Sequence, residues 1–365
     1  MPGERSDMSR DGAFMRRALE LARLGWGQTA PNPMVGAVVV RDGEIVGEGY
    51  HARFGGDHAE VAALSAAGER ARGATTFVTL EPCAHTGKTP PCTDALIAAG
   101  VARVVCATRD PNPEAAGGLA RLAERGITVL DGVEEEAARE LNAPFFHALH
   151  SERPWITLKL ALSLDGAIAD AHGNSRWITG EASRREVHHL RAGHDAIAVG
   201  VGTAIADDPS LTVRDAPAPR VPPRRIVFDR HARLSLTSAL ASTARSTPTI
   251  VIVASVSPSR ASELEKAGIM VLRAVSLAEA LRELRRIQVR SIFVEGGARL
   301  AGALLDTTLV DRLVIFQAPV ILGAGAIGAF ARTSGSSLAT ASRFRIVEQR
   351  TIGGDAMTVY APPTA

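Results

Sequence analysis

Glu81–Cys92 reads EPCAHTGKTPPC and holds two of only three cysteines in a chain of 365 residues, with eight residues between them and three prolines beside them. Zinc prefers thiolate and imidazole ligands, and a catalytic zinc keeps three protein ligands plus a water. Cys83 and Cys92 therefore need one histidine. The upstream segment GGDHAEVAAL, 55–64, supplies His58, with Glu60 two residues later at a helix start that Asp57 can cap. Two residues apart on a helix lie about 200° apart, so both side chains reach one metal only where the helix begins. Cys92 follows Pro90-Pro91 and precedes TDALIAAG, again a helix start, where free N–H groups and the macrodipole favour a thiolate. His-x-Glu followed by Pro-Cys and a second cysteine is the pattern of zinc deaminases, in which metal-bound hydroxide attacks the carbon bearing the amino group and the glutamate shuttles protons. The competing readings are a surface histidine with buried apolar cysteines, and a structural zinc with His85 as fourth ligand, which would leave Glu60 without a task.

Outward from this stretch, strands and helices alternate to both ends. VGAVVV and EIVGEGY flank Asp42-Gly43, a pair suited to a tight hairpin turn. A helix from Ala59, the strand TTFVTL, a helix Thr93–Ala99 closed by Gly100, and the strand VARVVCAT follow. Helix Glu114–Arg125, the strand ITVL and helix Val133–Leu141 complete a first α/β unit. LNAPFFHALHSERPW, 141–155, reads as a break at Pro144 and Pro154. The domains expected are 1–147 and 152–365. The second opens with WITLKLAL and continues through DAIAVG, RRIVFD, TIVIVA, SIFVEG and VDRLVIF. In SLAEALRELRRIQ, Leu277, Ala280, Leu281, Leu284 and Ile287 share one helical stripe. APAPRVPPRR, 216–225, is a proline-rich loop within this domain.

Composition narrows the function. With 41 basic against 39 acidic residues, the net charge of +2 gives no reason to expect a nucleic-acid or membrane partner. Three cysteines are too few for a secreted disulfide framework. The polar start MPGERSDMSRDG has no apolar signal core, and no apolar run approaches the ~20 residues of a membrane span. These features point to a cytoplasmic small-molecule enzyme. GAGAIG, 323–328, is a literal G-x-G-x-x-G, but no βαβ unit follows it, so it reads as a loop. His188-His189, His147 and His150 read as surface residues and Cys106 as a buried strand residue.

PNPMVGAVVV, GEGYH, HAE, TLEPCAHTGKTPPC, ALIAAGV and DPNP together closely resemble the deaminase domain of the bifunctional riboflavin-biosynthesis deaminase/reductase family. The eight-residue gap between the cysteines separates it from nucleoside and tRNA deaminases, which carry Pro-Cys-x-x-Cys. LKLALSLDGAIA, SRWITG, LRAGHDAIAVGVGTAIADDPSLTVR, FVEGGARLAGALL and AP-x-x-LG resemble the family's reductase in the expected order. The resemblance implies an α/β protein: a cytidine-deaminase-like three-layer domain followed by a dihydrofolate-reductase-like one. It implies that His58, Cys83 and Cys92 hold zinc, that Glu60 transfers protons, and that Asn32 and His51 meet the pyrimidine, with His85 and Lys88 suited to the ribose phosphate.

For the reductase, FVEGGARLAGALL runs from a strand through two glycines into a helix, whose N-terminal N–H groups suit a phosphate. GVGTAIADDP does likewise. The resemblance places NADPH against Ala161, Trp177, Val199, Gly200, Gly202, Thr203, Asp207, Gly297, Ala298, Arg299, Leu300, Ala301, Gly302 and Ala303. It places substrate against Ser175, Arg191, Leu211, Arg214 and Glu295, the two arginines as candidate phosphate clamps. Lys159 and Asp207 fall nearest the expected hydride-transfer site, as positioning or proton-transfer residues. The implied substrates are phosphoribosyl pyrimidines: deamination of 2,5-diamino-6-(5-phosphoribosylamino)pyrimidin-4-one, then NADPH-dependent reduction of the ribosyl group of 5-amino-6-(5-phosphoribosylamino)uracil to ribityl. A homo-oligomer, dimer or tetramer, is implied as well. The alternative is a base or nucleoside deaminase fused to an unrelated nucleotide-binding domain.

Overall fold

Short apolar strands buried on both sides demand a cover on each face, and the chain supplies helices between nearly every pair. The computed structural model describes residues 2–86, 90–331 and 337–363, with side chains from residue 10 onward. It divides into two compact units, residues 1–150 and 151–365.

The first unit contains α1 (Pro2–Arg23), β1 (Gly36–Arg41), β2 (Glu44–Tyr50), α2 (Ala59–Ala67), β3 (Thr75–Val78), α3 (Cys92–Ala99), β4 (Arg103–Cys106), α4 (Gly118–Glu124), β5 (Thr128–Asp131), α5 (Glu135–Leu141) and α6 (Ala143–His150). Its sheet runs β2-β1-β3-β4-β5, the β1 pairs antiparallel and the rest parallel. Alternation along the strands sorts the core into two layers. Ala37, Val39, Val78 and Val104 pack with Leu64, Leu96 and Leu122 of α2, α3 and α4, whereas Val38, Val40, Phe77 and Val105 pack with Met15, Leu19 and Ala138 of α1 and α5. This is the expected three-layer arrangement. Gly49 lets α2 lie close on β2, since a Cβ there would sit 2.4 Å from the Ala63 nitrogen and 2.6 Å from the Ala59 oxygen.

Helix α1 lays Met15, Ala18 and Leu19 against the sheet. Two expectations for this unit change. The helix expected from Glu114 begins only at Gly118, because the Glu81 carboxylate takes the N–H groups of Gly117 and Leu119 at 3.1 Å each and holds the preceding residues as a loop. Residues 143–150 are helical rather than broken; Pro144 lies in the first turn, where a missing N–H costs nothing.

The second unit comprises β6 (Trp155–Leu162), β7 (Ala167–Ala169), α7 (Glu181–Ala192), β8 (Ala196–Gly200), α8 (Val201–Asp207), β9 (Arg224–Phe228), α9 (Ala239–Ser242), β10 (Thr249–Val253), α10 (Pro258–Lys266), β11 (Ile269–Arg273), α11 (Leu277–Arg286), β12 (Ser291–Glu295), α12 (Ala298–Asp306), β13 (Arg312–Gln317), β14 (Ile327–Gly328), β15 (Arg345–Ile352) and β16 (Asp355–Ala361). The nine-stranded sheet has the order β11-β10-β9-β8-β12-β6-β13-β16-β15. Its strands are parallel from β11 to β13, and the β15–β16 hairpin adds two antiparallel ones. The α11 stripe is core, with Ala280, Leu281 and Leu284 buried and Leu277 and Ile287 packed against the same cluster. GAGAIG is not purely loop: its last two residues pair with β7. Among the described residues no helix is long and apolar enough to cross a membrane.

Candidate active sites

The first site forms where the loops after β2 and β3 meet the starts of α2 and α3. His58 is itself the cap residue of α2, with extended backbone and no side-chain capping bond; the cap expected at Asp57 falls one residue later, which frees the imidazole to face the cysteines. Its Nδ1 lies 3.1 Å from Cys92 Sγ and 3.7 Å from Cys83 Sγ. Zn–S bonds of about 2.3 Å and Zn–N bonds of about 2.0 Å put neighbouring donors of a tetrahedron roughly 3.5–3.8 Å apart; the Cys83 distance matches this, and the Cys92 distance falls a few tenths of an ångström short of it, within the reach of a small side-chain adjustment. Among the described residues the three donor atoms lie within 4.8 Å of one another, and His85, which is exposed, is not among them. Three protein donors leave a position for a fourth, non-protein ligand, as catalysis requires. Cys92 N–H donates to Cys83 Sγ at 3.3 Å, and Thr93 N–H and Oγ1 both donate to the Cys83 carbonyl at 3.3 Å.

Glu60 lies in the first turn of α2 and is buried. Burial pushes its carboxyl above the usual range, against the pull of His58, towards the window in which a carboxylic acid exchanges protons near neutrality. Asn32 and His51 come to the same place. Asn32 Nδ2 is 3.4 Å from His51 Nε2, and the His51 ring meets that of His58 edge-on, centroids 5.4 Å apart. His51 Nδ1 is bonded to the Asp57 carbonyl at 2.9 Å, and burial lowers its pKa. Lys88 lies outside the described residues.

Two supports had no recognisable signal in the sequence. Asn142 grips Met34 by its main chain, accepting from N–H and donating to C=O at 2.8 Å each, and so fixes the loop bearing Asn32 from 108 residues away. Glu81 ties the cysteine loop to residues 110–119 through three backbone N–H groups. There Gly118 is obligatory: a Cβ would sit 1.7 Å from the Pro82 carbonyl oxygen.

The second site lies at the carboxyl ends of β6, β8 and β12. Lys159 and Glu295 are paired in register across β6 and β12, on the face covered by α7. From α7, Arg191 Nε meets Glu295 Oε1 at 2.5 Å and its Nη1 donates to the Thr212 carbonyl at 2.8 Å. Burial alone would raise the Glu295 carboxyl, but Arg191 and Lys159 outweigh it and hold the group below its ordinary value. Burial lowers the Lys159 ammonium, opposed by Glu295. Arg191 is therefore buried and committed to partners, whereas the Arg214 side chain is 56% exposed. His188, expected on the surface, is buried beside Arg191, because α7 turns that face onto the sheet. Leu211 is buried too, so a ligand contact from that position would come from its main chain.

The two glycine turns meet. A Cβ on Gly297 would come within 2.9 Å of Thr203 Oγ1, and one on Gly200 within 3.6 Å of Leu300 Cβ. The first turns of α8 and α12 thus stand side by side on adjacent strands, the crevice position that dinucleotides use in parallel sheets. Val199, Leu300 and Ala301 point into the core, and Gly302 is buried, so Gly200, Gly202, Gly297, Ala298, Arg299 and Ala303 offer the reachable surface. The Arg176 guanidinium donates to the Asp207 carbonyl, joining the loop of Ser175 to that of α8. Trp177 is 65% exposed, with the Arg184 guanidinium 4.7 Å from its ring centroid. Ala161 sits half-buried on β6.

Two predictions arise from this cluster. Replacing Glu295 with alanine leaves Arg191 and Lys159 without their counter-charge, which is expected to destabilise the second unit by about 3–5 kcal/mol; denaturant unfolding of the full chain measures it. His188 and His194 are both held neutral, with pKa values of about 4: burial is the main cause for each, with Arg191 and Arg214 adding to it at His188. An unfolded histidine titrates near pH ~6.5, so acid favours the unfolded chain. The second unit is expected to hold its full stability above about pH 6.5 and to lose it progressively towards pH ~4, seen as a falling melting midpoint.

Comparison with known proteins covers both units. Residues 8–108 match the cytidine and deoxycytidylate deaminase zinc-binding region, and residues 154–358 match the RibD C-terminal domain. The riboflavin biosynthesis protein RibD of Escherichia coli is 44% identical over 94% of this chain and 97% of its own, and that of Aquifex aeolicus is 47% identical over 86% and 88%. Among solved structures, a diaminohydroxyphosphoribosylaminopyrimidine deaminase/5-amino-6-(5-phosphoribosylamino)uracil reductase from Thermotoga maritima superposes with a TM-score of 0.84 at 36% identity, covering 98% of this chain and all of that one. RibD from Acinetobacter baumannii gives 0.83 at 38% identity, with the same coverage. With a zinc-fitting His-Cys-Cys cluster in one unit and twin glycine turns in the other, the chain belongs to the RibD family of bifunctional riboflavin-biosynthesis enzymes, a zinc-dependent deaminase joined to an NADPH-dependent reductase.

Proposed function

We propose that residues 1–147 deaminate 2,5-diamino-6-(5-phosphoribosylamino)pyrimidin-4-one and residues 152–365 reduce the ribosyl group of the resulting 5-amino-6-(5-phosphoribosylamino)uracil. The observation that carries the first half is the convergence of His58, Cys83 and Cys92 with the buried carboxyl of Glu60. His58, Cys83 and Cys92 would hold zinc, which would supply an activated water for attack at the carbon bearing the amino group. Glu60 is the proton carrier: its buried carboxyl would accept a proton from the attacking water and pass it to the departing ammonia. Asn32 and His51 orient the pyrimidine, and His85 and Lys88 meet the ribose phosphate.

For the second half, the first turns of α8 and α12 would receive the phosphates of NADPH, with Ala161, Trp177, Thr203 and Asp207 around the rest of it, and the cofactor would supply the hydride. Lys159 and Glu295 face the reacting end of the crevice. The pair positions the ribosyl carbon chain, and the Lys159 ammonium, a donor held beside a carboxylate, is the group to deliver the proton that accompanies the hydride. Arg214, exposed at the rim, takes the substrate phosphate together with Ser175, and Arg191 holds the loop that carries it. The near-neutral charge supports small-molecule substrates rather than nucleic acid; a cytoplasmic homo-oligomer completes this reading.

The test is sequential dependence. The diamino substrate alone should release ammonia without NADPH, and NADPH should be oxidised only when that substrate or its deaminated product is present. Release of ammonia from cytidine, with no NADPH oxidation on either riboflavin intermediate, would support the fused nucleoside deaminase instead.

A further inference from the structure

His188 has no part in the chemistry above, yet it is only 6% exposed and stands where α7 meets the loop after α8. Its Nδ1 receives the Arg214 main-chain N–H at 3.2 Å and lies 3.4 Å from Arg191 Nη1. Two N–H donors on one ring nitrogen place its lone pair there and the ring hydrogen on Nε2. The imidazole is thus a neutral acceptor between two arginines, and burial, with their charges, keeps it unprotonated. Residues 211–214 belong to no strand or helix. From α7 they are gripped at two points, Thr212 through its carbonyl by Arg191 and Arg214 through its N–H by His188. Beyond those grips the Arg214 side chain is mostly exposed, with Asp215 at 4.0 Å.

We infer that His188 is a positioning residue of the reductase: by fixing the main chain at Arg214 it sets the direction from which that exposed guanidinium meets the phosphate of the substrate. The inference rests on the reading of Arg214 as a substrate contact. An apolar side chain of equal size could fill the space under α7, but it offers no acceptor at the Nδ1 position to the partly buried Arg214 N–H, and an N–H that loses its partner there turns towards water and takes its loop with it.

The experiment compares His188→Ala, His188→Asn and His188→Gln in the full chain, with steady-state reduction of 5-amino-6-(5-phosphoribosylamino)uracil by NADPH. Asparagine puts its carbonyl oxygen where Nδ1 stood; glutamine, one carbon longer, does not. The expected result is a KM for the uracil raised about tenfold in the alanine and glutamine variants, the loss of one partly buried hydrogen bond, and returned to within about threefold of wild type by asparagine. The KM for NADPH and the deaminase rate should stay at wild-type values in all three. If the alanine variant fails to fold, the contrast of asparagine with glutamine still decides. Equal KM values for asparagine and glutamine, or a rise in both KM values together, would overturn the inference and leave His188 a packing residue. Arg214→Ala separates the two layers of the argument. If that change raises the uracil KM while the His188 variants do not, positioning by His188 is wrong and the Arg214 reading stands; if it leaves the KM unchanged, the Arg214 reading fails and takes the inference with it.

Discussion

Cys83→Ser is expected to release zinc and lower deamination about 10³-fold or more, while reduction of the already deaminated substrate continues at the wild-type rate. The Cys83 thiol is the more acidic of the pair, pulled down mainly by the bond from the Cys92 thiol, with His58 and the Cys92 N–H adding to it and burial opposing. The Cys92 thiol is pushed up for the same reason, since the two share one proton, and burial raises it further. One sulfur is therefore a ready-made anion and the second needs the cation to lose its proton. A serine hydroxyl is far harder to ionise and is a poor match for zinc. Metal activation of water is worth several kcal/mol, and each ~1.4 kcal/mol is tenfold in rate. Zinc content by elemental analysis, measured beside ammonia release, checks this; a serine variant that keeps both would contradict the ligand assignment.

The second large effect is at Glu60. Glu60→Gln keeps the shape of the side chain but removes proton transfer, which contributes about 10²–10⁴ in rate, so deamination should fall by roughly that factor with zinc retained. The combination of zinc kept and rate lost distinguishes a proton carrier from a ligand. Loss of zinc in this variant would mean that Glu60 serves the metal directly.

Much of this site is local in the sequence, and for that reason it was legible. His58 and Glu60 lie two apart at a helix start, and Cys92 follows two prolines that can only begin the next helix. The strands that carry them alternate buried residues between two covers, as in VGAVVV, where Val38 and Val39 belong to opposite clusters. What the sequence concealed is non-local. Met34 and Asn142 meet across 108 residues, and nothing near either announces it. Glu114, Ala115 and Ala116 favour a helix, but Gly117, at a φ of 93°, interrupts it, and bonds to Glu81 fix that turn. Pro144 was misleading in the opposite sense, since proline breaks a helix interior but suits a first turn. Likewise, His188 and Arg191 sit in a charged stretch, EASRREVHHLRA, that reads as a solvated face. Only the register of Lys159 against Glu295 shows that a buried ionic cluster lies beneath it.

Nicotinamide absorbance, followed for wild type and Glu60→Gln, each given NADPH with the diamino substrate and, separately, with the deaminated one, decides whether two activities act in series on this chain. Wild type should oxidise NADPH with both; Glu60→Gln should do so only with the deaminated substrate, placing two independent sites in series on one chain. Oxidation by Glu60→Gln at the wild-type rate from the diamino substrate, or none by wild type from either, would contradict the account.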